Sequence, residues 1–287
     1  MIHRIICFVA LATFGTTLTA QSTAGEPSYK EWYVPFCMVA SERLPRGQSV
    51  HSVNFKRNEW PCLFNVTSRE GSALLTFYYE DGSTRSKEIT LLRQAVTVLA
   101  FHNAENLELL SEHAAFGVKI ESDVEIFPQF SASEDGEKFG EGLFRSAGFA
   151  RMAHPGPLSV RETKWLLPDG HLSIHKGKGE DRDWFYFLNP GDKAADLTLK
   201  MIYKTKTLTK KLSVEPHSIR VYEPGSDPDI TGAFLNTTTY GVVVESSEPI
   251  VMEAIRRYWN SSEETPINSW QIIPFAIGDL KISDSAF

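Results

Sequence analysis

Alternation of apolar and polar residues identifies the clearest strand of the chain. Leu197 and Leu199 fall on one face, whereas Thr198 and Lys200 fall on the other. A period of two residues is typical of a half-buried β-strand, because successive side chains of a strand point to opposite faces. Similar short segments recur along the chain between turn-forming sequences such as Asn-Pro-Gly-Asp at 189–192. Many short strands separated by turns predict an all-β protein built as a sandwich or barrel.

A shift of 124 residues relates the first part of the chain to the second. Residues that match under this shift are Trp60 with Trp184, Asn65 with Asn189, Leu75 with Leu199, and Tyr79 with Tyr203. The longest match pairs Phe-Gly-Val-Lys-Ile-Glu-Ser at 116–122 with Tyr-Gly-Val-Val-Val-Glu-Ser at 240–246. A fixed internal period is typical of repeated structural units. We therefore predict two tandem β-sandwich modules, at 26–152 and 158–287, joined by a linker containing proline and glycine.

Composition and charge exclude few classes of function. The chain has 287 residues, of which 42% are hydrophobic and 23% charged, as in an ordinary globular protein with a substantial core. The formal net charge is -7 and no basic block occurs. Binding to nucleic acid is therefore not expected.

The N-terminal segment 1–24 has the pattern of a secretory signal peptide. Arg4 precedes an apolar run, and small residues follow with candidate cleavage sites after Ala20 or Ala24. The alternative, a membrane anchor, needs a longer apolar run. We therefore expect a secreted or periplasmic protein without stable membrane insertion.

Three cysteines are present, and Cys7 lies in the predicted signal peptide. Cys37 and Cys62 would remain in an oxidising compartment, where a disulfide is permitted. Placed on neighbouring strands of the first module, they could form that bond. Two buried free thiols are the alternative that the sequence leaves open.

Several features of the second copy follow one another as in a known family of small β-sandwich proteins. These features are Trp165, the Asp169-Gly170 turn, the turn that begins at Asn189, and the strand–turn–strand segment 240–253 followed by Arg256. In their order and spacing, residues from about 165 to 277 resemble the sensory rhodopsin transducer family. The first copy is more divergent, because Val66 and Thr67 replace the proline and glycine of the turn and no arginine matches Arg256.

The resemblance implies properties that the residues alone do not. The family relays a signal from a membrane photoreceptor in the cytoplasm, a role that the predicted export does not fit. The wider family is associated with small-molecule binding, with sugars favoured. The implied ligand-binding candidates are Trp165, Asp169, Asn189, Glu253 and Arg256. Members resemble tetramers of single domains, so a tandem chain could reach a four-module assembly as a homodimer.

Glu253 interrupts an otherwise apolar face of its strand, between Val251 and Ile255. A polar group in that position needs a partner or a ligand. A ligand could contact Glu253 and Arg256 together, or one of the neighbouring arginines could form a salt bridge with Glu253. Both alternatives remain open at this point.

Patterns that carry catalysis or metal binding are weak. His171 and His175 lie four residues apart near Asp169, but the Pro-Asp-Gly turn favours solvated loop histidines over a metal site. No Gly-x-Ser-x-Gly motif occurs. Glu245 and Glu253 could form the carboxylate pair of a glycoside hydrolase, although the first copy lacks one of the two acids. We expect no catalytic residue, metal or cofactor.

These patterns predict a secreted, non-catalytic module that binds a small molecule or carbohydrate. A structural or assembly protein of the cell surface or periplasm is the second hypothesis, and a glycoside hydrolase is the third.

Overall fold

The computed structural model describes residues 28–39, 56–101, 103, 106, 110, 114–138, 143–152, 154–156, 162–175, 179–204, 206–231, 237–259, 266–272 and 275–276. The predicted signal peptide and the end of the predicted linker lie outside the described residues. Nearly all of the described chain is in strands, which confirms the all-β prediction. No helix in these ranges is long and apolar enough to cross a membrane.

Nine strands form the first half of the fold. They are β1 (Ser28–Met38), β2 (Lys56–Asn65), β3 (Gly71–Tyr79), β4 (Thr84–Leu91), β5 (Val96–Val98), β6 (Ala115–Ser122), β7 (Ile126–Lys138), β8 (Leu143–Met152) and β9 (His154–Gly156). One sheet has the order β4-β3-β6-β1-β9 and the other β5-β2-β7-β8. Apolar residues of both sheets, including Leu75, Val118, Leu63 and Phe130, form one core between them.

Eight strands form the second half. They are β10 (Glu162–His175), β11 (Gly179–Asn189), β12 (Ala195–Tyr203), β13 (Lys206–Val214), β14 (Ser218–Tyr222), β15 (Thr237–Trp259), β16 (Pro266–Ile272) and β17 (Phe275–Ala276). A 3-10 turn, Pro224–Ser226, and one helical turn, Pro228–Thr231, lie between β14 and β15. All eight strands belong to one hydrogen-bonded sheet. Six of them have the order β13-β12-β15-β10-β11-β14, while β16 pairs with β15 and β17 pairs with β10.

The long strand β15 bends so that its two ends approach the same point. Its N-terminal part pairs with β10 and β12, and its C-terminal part pairs with β11 and β16. Tyr240 and Arg256 lie sixteen positions apart on β15, yet both bond to Asp183. The second half therefore also has two layers, and β15 contributes to both of them.

The strand pairings of the two halves correspond position by position. Leu75 faces Ile120 and Leu199 faces Val244, which is the same pair after a shift of 124 residues. Equivalent pairings join β1 with β6, β3 with β4, β2 with β5 and β7, and β7 with β8 in the first half. Their counterparts join β10 with β15, β12 with β13, β11 with β14 and β15, and β15 with β16. The division into modules at 26–152 and 158–287 stays a prediction, which these registers favour.

The two halves are packed against each other through an extended apolar contact. The outer face of β1, β3 and β6, which we call the covering face, contributes Tyr33, Phe36, Met38, Tyr78 and Ala115 to the core cluster of the second half. The covered face is the outer face of β11, β14 and the C-terminal part of β15, with Tyr186, Leu188, Ile219 and Val251. The rings of Phe36 and Tyr186 stack with centroids 3.9 Å apart. The Val221 amide also donates to Glu80 across this contact, at 3.0 Å.

Candidate functional site

Arg256 lies inside the second half and binds a buried carboxylate. Antiparallel pairing of β11 with β15 places Arg256 directly opposite Asp183, so that both side chains point between the layers. Arg256 Nε donates to Asp183 Oδ1 at 2.7 Å, and the side chains are 8% and 0% exposed. Paired and hydrogen-bonded charges are the form in which ions are tolerated in a protein interior.

Asp183 accepts further hydrogen bonds from His171 and Tyr240, so a polar cluster forms around the Asp183–Arg256 pair. The backbone amide of His171 and the hydroxyl of Tyr240 both donate to Asp183 Oδ2, at 2.5 and 3.2 Å. Burial raises the pKa of Asp183, and the hydrogen bonds from Arg256 and its other donors oppose that effect. Burial also raises the pKa of Tyr240, and the Asp183 carboxylate adds to the rise. Tyr240 is therefore a neutral hydrogen-bond donor at every physiological pH.

Asp169 lies on the solvent-exposed side of this polar cluster and contacts Arg256. Its side chain is 64% exposed, and Arg256 Nη1 lies 3.4 Å from Asp169 Oδ2. The Asp169 carbonyl accepts a second bond from Arg256 Nη2 at 2.6 Å. Of the predicted ligand-binding residues, Asp169 and Arg256 thus lie together. The guanidinium donors are directed at groups of this chain, an arrangement that stabilises the fold.

Glu253 lies on the other face of β15 from Arg256. It pairs with Tyr186 and is 1% exposed, on the covered face that packs against the first half. Glu253 and Arg256 therefore form neither a salt bridge nor a shared ligand contact, two of the alternatives left open above, because residues three positions apart on a strand point to opposite faces. Glu245 lies on the outer face of the opposite layer, where Lys200 Nζ is 3.2 Å away. The two glutamates point away from each other and share no cleft.

Trp165 and Asn189 are both buried and form hydrogen bonds within the chain. Trp165 is 1% exposed in the core of the second half, with its indole nitrogen donating to the Glu162 carbonyl. Asn189 is buried, and its amide group donates to the carbonyls of Lys193, Val214 and Glu215 at 2.7 to 3.1 Å. Burial leaves Trp165 no exposed ring face on which a sugar could stack, and the amide group of Asn189 is bonded within its own turn.

Cys37 and Cys62 are free thiols. They do not lie on neighbouring strands, because β1 pairs with β6 and β9 whereas β2 pairs with β5 and β7. Cys37 points into the core of the first half, and Cys62 is half-buried on the outer face of the other sheet. Burial raises the pKa of the Cys62 thiol. Among the described residues, no group of three or more His, Cys, Asp and Glu side chains could hold a metal ion.

A second polar cluster, which the sequence analysis missed, fixes the loop after β14. Asp227 Oδ2 accepts from the Tyr222 hydroxyl at 2.9 Å and lies 2.7 Å from Lys210 Nζ. Its side chain is 7% exposed. Burial alone would raise the pKa of Asp227, but the bonds from Lys210 and Tyr222 outweigh it and lower the pKa. The spacing of these three residues gives no sequence signal.

We expect Asp227→Asn to destabilise the protein at pH 7 by about 2 kcal/mol, since a buried charge-assisted bond is lost. A carboxyl whose pKa is lowered in the folded state stabilises that state at pH values above its unfolded-state pKa of about 4. This contribution is lost as the pH falls through the folded-state pKa. The difference from the wild type should therefore shrink between pH 5 and about pH 3. Urea unfolding at several pH values measures it, with Asp229→Asn, at an 83% exposed side chain, as the control. A difference independent of pH would contradict the assignment.

A group of exposed apolar side chains lies on the first half, within the part of the chain that the structure describes. Phe64 faces Val96 on β5 and Phe127 on β7, and the next row contains Val98 and Cys62. We call these five residues the apolar face. Relative exposures are 41% for Phe64, 55% for Val96, 57% for Val98 and 39% for Phe127. Their counterparts on the covered face include Leu188, Ile219 and Val251, which are at most 1% exposed. The same position in the fold is thus covered in one half and open in the other, among the residues that the structure describes.

The fold is that of an all-β protein, and one family model matches part of its first half. Residues 30–142 match the family model described as Anabaena sensory rhodopsin transducer. The predicted resemblance is therefore confirmed for this part of the chain. The match lies in the first half, whereas the motifs predicted that the second copy is closer to the family pattern.

Two solved structures are similar to parts of this chain. The Anabaena sensory rhodopsin transducer is 20% identical with a TM-score of 0.29, covering 34% of this chain and 91% of that one. The crystal structure of Thermotoga maritima 1070 is 15% identical with a TM-score of 0.32, covering 44% and 92%. No curated protein matches the chain.

Proposed function

We propose that this chain is a secreted, non-catalytic interaction protein of two tandem β-sandwich domains, and that its apolar face binds another protein. The observation that carries the proposal is the contrast between the apolar face and its covered counterpart. Large apolar side chains at equivalent register positions are buried by a sheet in one half and exposed in the other. Contiguous exposed apolar residues on a soluble domain commonly mark a protein contact.

The polar candidates favour this function over small-molecule binding. Four of the predicted ligand-binding residues form hydrogen bonds within the chain itself. They are Arg256, Asp169, Asn189 and Trp165. A ligand on Arg256 would have to displace Asp169 or Asp183 from the guanidinium. The family whose model matches residues 30–142 is named for a sensory rhodopsin transducer, a name that accords with a role in protein contact. The signal-peptide pattern of residues 1–24 supports the proposed export.

The accessibility of Cys62 tests whether the apolar face is open. We expect the Cys62 thiol of the dilute, folded mature chain to react with an aromatic disulfide reagent much faster than Cys37, which is 0% exposed. Both thiols should react at the same rate in denaturant, which serves as the control. An unreactive Cys62 in the folded monomer would show that the chain covers this face itself, and the proposal would fail.

A thermal-shift screen against sugars, polyols and small anions tests the small-molecule alternative. A ligand that binds only the folded state must raise the Tm by mass action. We expect no shift from any of these compounds. A reproducible shift that Arg256→Lys removes would instead assign small-molecule recognition to the polar cluster.

A further inference from the structure

We propose that the outer face of β10, β12, β13 and the N-terminal part of β15 binds the anionic surface of a lipid membrane. The side chains that would make this contact are Lys164, Thr198, Lys200, Thr209 and Lys211, which we call the lysine face. The lysine face belongs to the second half, whereas the apolar face belongs to the first. A membrane contact here is thus additional to the protein contact proposed above.

Antiparallel pairing brings these side chains to one side of the sheet. Thr198 is paired with Lys211 on β13 and with Glu245 on β15. Glu245 is in turn paired with Lys164 on β10. Directly paired residues point to the same side, so this row crosses four strands. Neighbouring strands are about 4.8 Å apart, which separates Lys211 from Lys164 by about 14 Å. Lys200 lies two residues from Thr198 and points the same way.

The surface around Lys200 is low and open. Its neighbours across the strands are Thr209 and Val243, and Gly241 lies two residues before Val243. A Cβ atom added to Gly241 would meet only the Leu167 carbonyl, at 3.8 Å, among the residues with described positions. Nothing in the described ranges therefore lies over this part of β15. The lysines project from a broad surface and not from the walls of a groove.

The basic side chains are a property of the second half and not of the shared fold. At three positions of the lysine face, the first half has an acid or a hydroxyl group where the second half has lysine. The corresponding pairs by register are Glu31 and Lys164, Thr76 and Lys200, and Glu88 and Lys211. A charge difference at matched positions indicates a surface with its own role in the second half.

Positive charge is concentrated in the hairpin that β12 and β13 form. Residues 197–214 contain five lysines and no acid, although the whole chain has a formal net charge of -7. Lys204 and Lys206 near the tip of this hairpin are exposed. Glu245 is the acid of the row described above, and it lies 3.2 Å from Lys200. Charge interactions are screened over about 8 Å at physiological salt, so this surface attracts anions despite the acidic remainder of the chain.

A lipid surface matches a broad basic face better than a charged polymer does. Proteins that bind single-stranded nucleic acid use a positively charged groove, and a domain that is basic as a whole is typical of nucleic-acid binding. Anionic headgroups instead form a plane, and each lysine held near that plane adds to the attraction. Such a contact is peripheral and requires no membrane-spanning segment. The proposed export would bring the chain to a membrane surface.

Co-sedimentation of the mature chain with lipid vesicles tests the proposal. The probes are vesicles of phosphatidylcholine with and without phosphatidylglycerol. We expect binding only to the vesicles that contain the anionic phosphatidylglycerol. Raising the salt concentration from about 0.1 to about 1 M should release the chain, because it shortens the Debye length from about 10 to about 3 Å.

Reversing two charges of the lysine face tests where the vesicles bind. Lys164→Glu/Lys211→Glu should weaken binding to the anionic vesicles at least about tenfold, since each lysine near the membrane adds to the attraction. Lys30→Glu/Arg93→Glu makes the same change in net charge at two exposed positions of the first half and should bind as the wild type does. Unchanged circular dichroism and Tm establish that both variants fold. Lys164→Gln/Lys211→Gln replaces the first variant if charge reversal prevents folding.

Removing the acid of the same row should have the opposite effect. Glu245→Gln should bind the anionic vesicles several-fold more tightly, because one negative charge leaves the surface that faces them. The Glu245 side chain is 42% exposed, and loss of such an ion pair has little effect on stability. Glu121→Gln, at the corresponding position of the first half, is the matched control and should leave vesicle binding unchanged.

Three results overturn the inference. One is equal binding to both kinds of vesicle with a loss in Phe64→Lys, which would place the contact on the apolar face. Another is binding to anionic vesicles that Lys164→Glu/Lys211→Glu leaves unchanged. The third is no binding to either kind of vesicle. In that case, retention on heparin that the double variant loses would assign the lysine face to a charged polymer.

Discussion

Arg256→Met should lower the free energy of unfolding at pH 7 by about 3–5 kcal/mol, because it leaves a buried carboxylate without its counter-charge. Asp183 is 0% exposed and takes two of its hydrogen bonds from this arginine. Methionine preserves most of the length and apolar volume of the side chain, so loss of packing contributes little. Equilibrium unfolding in urea measures the change.

The pH dependence of the variant separates lost charge pairing from lost packing. Burial raises the pKa of Asp183, and removing Arg256 takes away the strongest opposing interaction. A carboxyl whose pKa is raised in the folded state destabilises that state once the pH rises above the carboxyl's unfolded-state pKa of about 4. The deficit of Arg256→Met should therefore be large at pH 7 and shrink towards pH 3.

Two control variants sharpen this test. The double variant Asp183→Asn/Arg256→Met should recover part of the loss, since no buried charge remains. Lys200→Met removes an ion pair whose side chains are 38% and 42% exposed, and should cost less than about 1 kcal/mol. A loss below 1 kcal/mol for Arg256→Met would mean that the pair contributes little to stability.

The alternation of apolar and polar residues predicted the strands that have one exposed face. On β12, Leu197, Leu199 and Met201 are buried, while Thr198 and Lys200 lie on the outer face. The shift of 124 residues predicted which positions correspond in the two halves, and the pairing registers follow it. These features could be predicted because they are determined by each strand and the strands paired with it, within one half of the chain.

The faces of β11 could not be predicted in the same way. Residues 184–188 are apolar without interruption, because the first half covers the outer face of this strand. A strand buried on both sides has no period of two. The sequence therefore did not show that Asp183 and Arg256 share the inner face while Glu253 lies on the outer one.

The first strands of the two halves, β1 and β10, also match in sequence, but at a shift of 133 residues instead of 124. Trp32 and Pro35 occupy the positions of Trp165 and Pro168, 133 residues later, and both strands have a register shift after Val34 or Leu167. The connection to the next strand is longer in the first half, which moves this match off the shift of 124. The buried acids Glu59 and Asp183 are equivalent, since each accepts the backbone amide of Met38 or His171.

Asn189→Ala should destabilise the protein by about 3 kcal/mol, because each buried polar group left unsatisfied costs roughly 1–3 kcal/mol. The Asn189 amide group donates to three carbonyls, and its oxygen accepts from the Gly191 amide at 3.0 Å. Some of the released backbone groups lie at the protein surface and can bind water, which limits the loss. Urea unfolding of the mature chain measures it.

Asn65→Ala should cost a similar amount, because the same arrangement recurs in the first half. Asn65 donates to the carbonyls of Arg69, Leu91 and Leu92, and accepts from the Thr67 amide at 2.9 Å. Asn103→Ala, at an exposed position, is the control and should change stability by less than about 0.5 kcal/mol. If only one of the two buried asparagines were costly to replace, the turns would differ in energy despite their shared geometry. Equal losses would show that the repeated sequence preserves this turn because the fold of each half requires it.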